Sequence, residues 1–247
     1  MVPNINRYEE ALRKAVQGFW ATRKAQSAKQ KAKRTSDQGA RGDVTGGAQM
    51  DGFADLVARI VREAGIPDAG VFRRKAIELP GFFRASKKWD TLIVVDGKLL
   101  AAIELKSQVG PSFGNNVNNR AEEAIGSAVD LWTAYREGAF HASPRPWLGY
   151  MFLLEECERS LSPVAAAEPH FPVFPEFQSA SYAKRYELLC RKLVRERHYN
   201  AVSFLTSGRD RGMRGEYREP TAELAFREFA ASLVGHVCSL VASKGGK

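Results

Sequence analysis

Asp90, Glu104 and Lys106 are the residues of this sequence whose types and spacing could carry out one reaction together. Glu104 and Lys106 close an apolar run, Leu99-Leu100-Ala101-Ala102-Ile103, that reads as a buried strand and breaks at Gly110-Pro111. Charge at the end of a core strand is costly unless it is paired or used. Side chains alternate along a strand, so Glu104 and Lys106 share a face. Asp90 opens the preceding strand, and Asp96-Gly97 between the two is a hairpin signal. Register decides whether Asp90 joins the other two. A two-residue Asp96-Gly97 loop pairs Val95 with Lys98 and turns Asp90, opposite Ile103, away from Glu104. A three-residue loop, Asp96-Gly97-Lys98, or a one-residue bulge sets Asp90 opposite Glu104. A shared site therefore predicts one of these two devices.

On a common face, two neighbouring carboxylates cannot both stay ionised cheaply without a cation between them. Mg²⁺ suits that place, as a hard ion taking one or two carboxylates, waters and a phosphate oxygen. It would acidify a bound water and draw charge from a scissile phosphate, with Lys106 placed to orient that water or steady the developing charge. The same three residues are also compatible with a polar strand end and a cross-strand ion pair.

The elements around these residues follow from hydrophobic period and stop signals. Helices are expected over 6–34, 53–65, about 117–136, 180–197 and 221–242. Strands are expected over 71–79, 90–95, 99–106, 147–154 and 201–206. A Pro-rich loop spans 162–176. Strands alternating with helices after a hairpin indicate an α/β domain with a mixed β-sheet flanked by helices. The expected organisation is a basic helical arm and mobile loop over 1–50, with the remaining elements in 51–247 forming one structural unit.

Composition points to the partner. The 247-residue chain is 44% hydrophobic and carries a net charge of +9, which favours an anionic partner such as nucleic acid. From 11 to 42 there are nine Lys/Arg, among them Lys31, Lys33 and Arg34, against the single acid Asp37. That stretch reads either as a solvated helix end and linker or as an arm that orders on a phosphate backbone. Asn115, Asn116, Asn118, Asn119 and Arg120 crowd the entry to the 117–136 helix. Asparagine there can bond an adenine edge or cap the helix. Arg209, Arg211, Arg214 and Arg218 lie among glycines in the loop 206–219, suited to guanine or to phosphate. The basic face of the 180–197 helix (Lys184, Arg185, Arg191, Lys192, Arg195, Arg197) reads as backbone positioning. Three scattered cysteines without CxxC read as reduced thiols of a cytoplasmic protein. No run approaches the ~20 apolar residues of a membrane span, the four histidines have no metal-ligand spacing, and no GxxxxGK[ST] indicates ATP use.

The block "GFFRASKKWDTLIVVDGKLLAAIELKSQVGPSFGNNVNNRAEEAIGSAVDLWTAYREGAF", residues 81–140, closely resembles the type II restriction endonucleases of the XhoI group. Its D…ExK looks like the PD-(D/E)xK nuclease site, with Asp90 and Glu104 as metal ligands and Lys106 as the lysine that positions the base. Trp89 stands where the broad motif often has proline, at a position that binds no metal. The resemblance implies a restriction-endonuclease-like core and Mg²⁺-dependent cutting of double-stranded DNA by a homodimer. The site would be CTCGAG, cut after the first C to leave 5′ overhangs, with a cognate methyltransferase protecting host DNA. A third acid often assists such sites, and Glu78 and Glu63 are the candidates. The rival readings are another nuclease on the same fold, for repair or junction resolution, and a non-catalytic DNA-binding protein.

Overall fold

The computed structural model describes residues 5–34 and 48–244, with the side chains of 29–34 and 244 outside the described set. The loop expected over 35–47, with Arg41, also lies outside the described residues.

In chain order the elements are α1 (Glu9–Arg34), α2 (Asp51–Glu63), β1 (Val71–Phe72), β2 (Glu78–Pro80), β3 (Ser86–Lys88), β4 (Thr91–Val95), β5 (Lys98–Gln108), α3 (Phe113–Arg136), β6 (Trp147–Glu155), α4 (Glu158–Leu161), α5 (Tyr182–Arg195), β7 (Ala201–Ser207), α6 (Arg209–Gly212) and α7 (Phe226–Lys244). Five strands form one mixed sheet in the order β1-β4-β5-β6-β7. β1, β4 and β5 run antiparallel, and β5, β6 and β7 run parallel. Every residue of β6 and β7 is buried, as expected of parallel strands covered on both faces.

One face packs on α1, α2 and α7. There the sequence's apolar stripes (Tyr8, Leu12, Val16, Phe19 and Trp20; then Phe53, Leu56, Val57, Ile60 and Val61) meet Ile93, Ala101, Ile103 and Leu105. The first half of the N-terminal helix is therefore core. Trp20 also donates its indole N–H to Ser207 at 3.0 Å. The other face packs on α3 and α5 through Leu92, Ala102, Tyr150 and Phe152. Among the described residues no helix is long and apolar enough to cross a membrane, and all three cysteines are free thiols.

The strand expected over 71–79 divides in two. The chain leaves the sheet after Phe72, turns through positive φ at Arg74 (68°) and Ala76 (53°), and resumes as β2. The cause is the charge at Arg73-Arg74: these side chains reach outward to Asp55 and Asp51 of α2 instead of entering the core. β2 then pairs antiparallel with β3 in a separate two-stranded ribbon, Glu78 against Lys88 and Leu79 against Lys87. A buried carboxylate of α3 fastens the ribbon's tip. Asp130 accepts the backbone N–H groups of Phe82 and Phe83, each at 2.8 Å, on one oxygen and the Arg84 guanidinium at 2.9 Å on the other.

Candidate active site

The hairpin uses the bulge, not the three-residue loop. Val95 pairs with Lys98 across a two-residue Asp96-Gly97 turn, whose φ values of 51° and 69° are both positive, as a tight hairpin turn requires. Left regular, this register would turn Asp90 away from Glu104. Val94 pairs with Leu99, but Ile93 pairs with Ala101, so Leu100 is surplus. Leu99 faces the α3/α5 side, whereas Leu100 and Ala101 both pack on the α1/α2/α7 side. Two residues thus oppose one, and alternation is reset beyond them. With Thr91 opposite Ile103, the next step of the ladder brings Asp90 level with Glu104. The Asp90 N–H donates to the Ile103 carbonyl at 3.2 Å, and its carboxylate accepts the Leu105 N–H at 2.7 Å.

Glu104 is 4% exposed and is gripped by two lysines. Lys106 takes Oε1, and Lys87, 2.9 Å away, takes Oε2. The Lys87 ammonium also donates to the Lys88 carbonyl at 3.1 Å and lies 4.5 Å from the centre of the Trp89 ring. Sequence reasoning missed Lys87. It sits on the ribbon, outside the hairpin whose alternation fixes the other three, so spacing from Asp90 could not place it. The available signal was its position two residues before Trp89, whose ring supports the ammonium.

Burial, reinforced by the Glu104 charge, pushes the Asp90 carboxyl up to about 6, against the pull of the Leu105 N–H and both lysines. Burial would lower the Lys106 ammonium, but the charge and hydrogen bond of Glu104, with Asp90, hold it above its ordinary value. The pair of hard-oxygen donors, Glu104 buried and Asp90 half-buried, fits a Mg²⁺ ion that keeps waters and shares a phosphate. In the metal-free protein ionised Asp90 is a cost. A raised carboxyl pKa means the fold binds the proton more tightly than the unfolded chain does. The penalty is thus full above pH 6, fades as pH falls through 6, and is gone below the ordinary carboxyl value. Asp90→Asn is expected to stabilise the metal-free protein by about 3 kcal/mol at pH 8 and by only about 0.5 kcal/mol at pH 4. Thermal melts at the two pH values check this, and equal gains at both would contradict it.

The third acid expected from the sequence does not arrive. Glu78 pairs with Lys88 at 3.4 Å, on the ribbon side opposite Lys87. Glu63, at the end of α2, is held by Arg59 at 2.8 Å and by Arg7. Among the described residues no three His, Cys, Asp or Glu side chains converge as a metal-ligand group. Asp90 instead borders a cleft of about 180 Å³ shared with Asp51, Asp55, Arg73 and Arg74.

The expected DNA-contacting residues divide by what holds them. α3 begins at Phe113 after Ser112, so Asn115, Asn116, Asn118 and Asn119 lie within its first two turns and none is the N-cap. Asn115, Asn118 and Asn119 are exposed. Arg120 pairs with Glu123, and its charge acts on Lys106. The arginines of 206–219 all have carboxylate partners: Arg209 on Glu155, Arg211 and Arg214 on Glu216, and Arg218 on Glu156. Their side chains are nevertheless at least half exposed. On α5, Lys192 holds Glu176, Arg195 holds Glu223, and Arg185 donates to the Val164 carbonyl. Much of that basic face thus fastens the chain's own loops. Arg23, Lys24 and Arg209 line a cleft of about 530 Å³ with Trp20 and Gly110. The side chains of Lys31, Lys33 and Arg34, just beyond it in sequence, lie outside the described residues.

Comparison with known proteins gives the family. The chain is 54% identical over 208 residues to the type II restriction enzyme BstVI of Geobacillus stearothermophilus, covering 82% of this chain and 93% of that one. It is 49% identical over 196 residues to the type II restriction enzyme XhoI of Xanthomonas vasicola, covering 78% of each. It is also 49% identical over 165 residues to the type II restriction enzyme AbrI of Azospirillum brasilense, covering 66% of this chain and 74% of that one. No solved structure matches. These relatives place the chain in the class of type II restriction enzymes, which are site-specific deoxyribonucleases. The family profile described as restriction endonuclease XhoI matches residues 29–219, and the chain belongs to that family.

Proposed function

We propose that this type II restriction enzyme makes Mg²⁺-dependent double-strand cuts at CTCGAG, after the first C, and that Asp90, Glu104 and Lys106 form its active site on a PD-(D/E)xK core. One observation carries the reading: a bulge at Leu100 resets the hairpin so that Asp90 comes level with Glu104 while Lys106 shares its face. Asp90 and Glu104 would hold Mg²⁺, which when bound acidifies a water and draws charge from the scissile phosphate. The Leu105 N–H holds one Asp90 oxygen at 2.7 Å, and the other would be left to the cation. Lys106, charged at neutral pH, orients the attacking water and balances charge as it builds on the phosphate. The exposed asparagines at the start of α3 suit base edges, and the arginines of 206–219 suit guanine or phosphate.

A palindrome is read by a two-fold dimer, each subunit handling one half-site, and a homodimer is proposed on that ground. In the cell the enzyme would work in the cytoplasm beside a cognate DNA methyltransferase, with the first half of α1 packed into the nuclease core and only the basic stretch beyond Trp20 serving as an arm to it. The test is digestion of DNA of known sequence with Mg²⁺, followed by sequencing of the ends. Uniform four-base 5′ overhangs at CTCGAG are expected; scattered ends would refute the specificity and favour a general nuclease.

A further inference from the structure

Lys87 lies outside the D…ExK spacing, and the chemistry proposed above does not use it. Its side chain is nonetheless only 12% exposed, and that of Glu104 5%. With Lys106 on Oε1 and Lys87 on Oε2, both oxygens of Glu104 are occupied by ammonium groups. Asp90, Glu104, Lys87 and Lys106 together carry no net charge, whereas the three motif residues alone would carry one negative charge. The extra lysine is delivered from β3, a different element from the hairpin that assembles the rest.

A divalent cation that needs a Glu104 oxygen must displace one of these lysines. Lys87 is the one equipped to let go. Beside Glu104 its ammonium has two further partners, the Lys88 carbonyl at 3.1 Å and the Trp89 ring at 4.5 Å, and attraction to an indole face offsets part of the loss of the carboxylate. Among the described residues, the partners of Lys106 are the acids of the site, Glu104 and Asp90. An incoming phosphodiester supplies the negative charge that a released Lys87 would otherwise lack.

We propose that Lys87 is a positioning residue that gates metal loading: it occupies Glu104 Oε2 in the DNA-free protein, so a divalent cation is held weakly until a DNA phosphate draws the ammonium away. The proposal rests on the reading of Asp90 and Glu104 as metal ligands. By linkage, DNA and the cation each strengthen the other's binding through this exchange. The enzyme would then reach its charged state on DNA and not in free solution.

Calorimetric titration of the whole protein with Mg²⁺, in the absence of DNA, tests the gate on wild type, Lys87→Met, Lys87→Arg and Asp90→Ala. Lys87→Met, which keeps the packing on Trp89 but removes the charge, is expected to bind Mg²⁺ about tenfold more tightly than wild type. Lys87→Arg, which keeps the charge, is expected to stay near wild type. A purely structural role for Lys87 gives the opposite sign, because a loosened site binds metal less well. Unchanged or weaker binding by Lys87→Met therefore overturns the gate. Should Asp90→Ala bind Mg²⁺ as wild type does, the ligand assignment itself fails. Loss of binding in Asp90→Ala together with an unchanged Lys87→Met sinks the gate alone.

Discussion

Glu104→Ala is expected to lose DNA cleavage by about a thousandfold or more while retaining DNA binding. The carboxylate is one of the two anchors proposed for the cation, and metal-derived stabilisation of the transition state is worth several kcal/mol, with each 1.4 kcal/mol a factor of about ten. Binding is spared because phosphate and base contacts from elsewhere carry the affinity. The substitution also frees Lys87 and Lys106 from Glu104 and leaves them with Asp90 as their counter-charge, a net gain of one positive charge at the proposed site. Affinity for DNA should accordingly hold or rise slightly. Glu104→Gln is the companion variant, keeping shape and losing charge, and it should cleave as poorly as the alanine form. Cleavage assays with Mg²⁺ and gel-shift titrations without it measure the two properties separately. A Glu104→Ala protein that cuts at wild-type rate would remove the whole hairpin from the mechanism.

Asp130→Ala is expected to destabilise the fold by about 2–3 kcal/mol. The carboxylate is 3% exposed and accepts two backbone N–H groups and a guanidinium, all from the ribbon tip. Its removal leaves those donors without their partner and leaves the Arg84 charge unbalanced. Hydrogen bonds to a charged group contribute about 1.5–3 kcal/mol each, so the loss exceeds that of an ordinary surface pair. The ribbon also carries Lys87, so the damage should reach the site. Denaturant unfolding measures the stability, and a midpoint within error of wild type would show that the tip is held by something else.

Most of the frame was legible in the residues. The 3.6-residue stripes on α1 and α2 and the unbroken apolar runs of β6 and β7 mark a sheet covered on both faces. Of the three motif residues, Glu104 and Lys106 were legible on one face because alternation along β5 is rigid, whereas Asp90 joins them only through the bulge, which the sequence left open beside an odd loop. Two things were hidden. Arg73 and Arg74 look like strand residues by pattern, but their charges are satisfied only by leaving the sheet for Asp51 and Asp55. A tertiary partner thus overrode a local preference. Lys87 was hidden because its meeting with Glu104 depends on how an independent ribbon is docked, and that docking is set by Asp130, more than forty residues further along the chain. The arginines of 206–219 show the same limit in another form. Their basic character was plain, but their pairing with Glu155, Glu156 and Glu216 required the folded neighbourhood.

The surplus residue at Leu100 amounts to a rule of parity. Thirteen residues separate Asp90 from Glu104, an odd number. A regular hairpin closed by a two-residue turn leaves an even number between any two residues that face each other. An odd count between the acids therefore already encodes either an odd loop or a bulge, before any coordinates are known. In this protein the extra residue is absorbed inside the sheet, where both leucines of the bulge are buried. The exposed turn is thereby freed from the task of aligning the acids. A relative of this chain with an even count should have a straight ladder, and one that gains or loses a single residue between the acids should change the bulge before it changes the site.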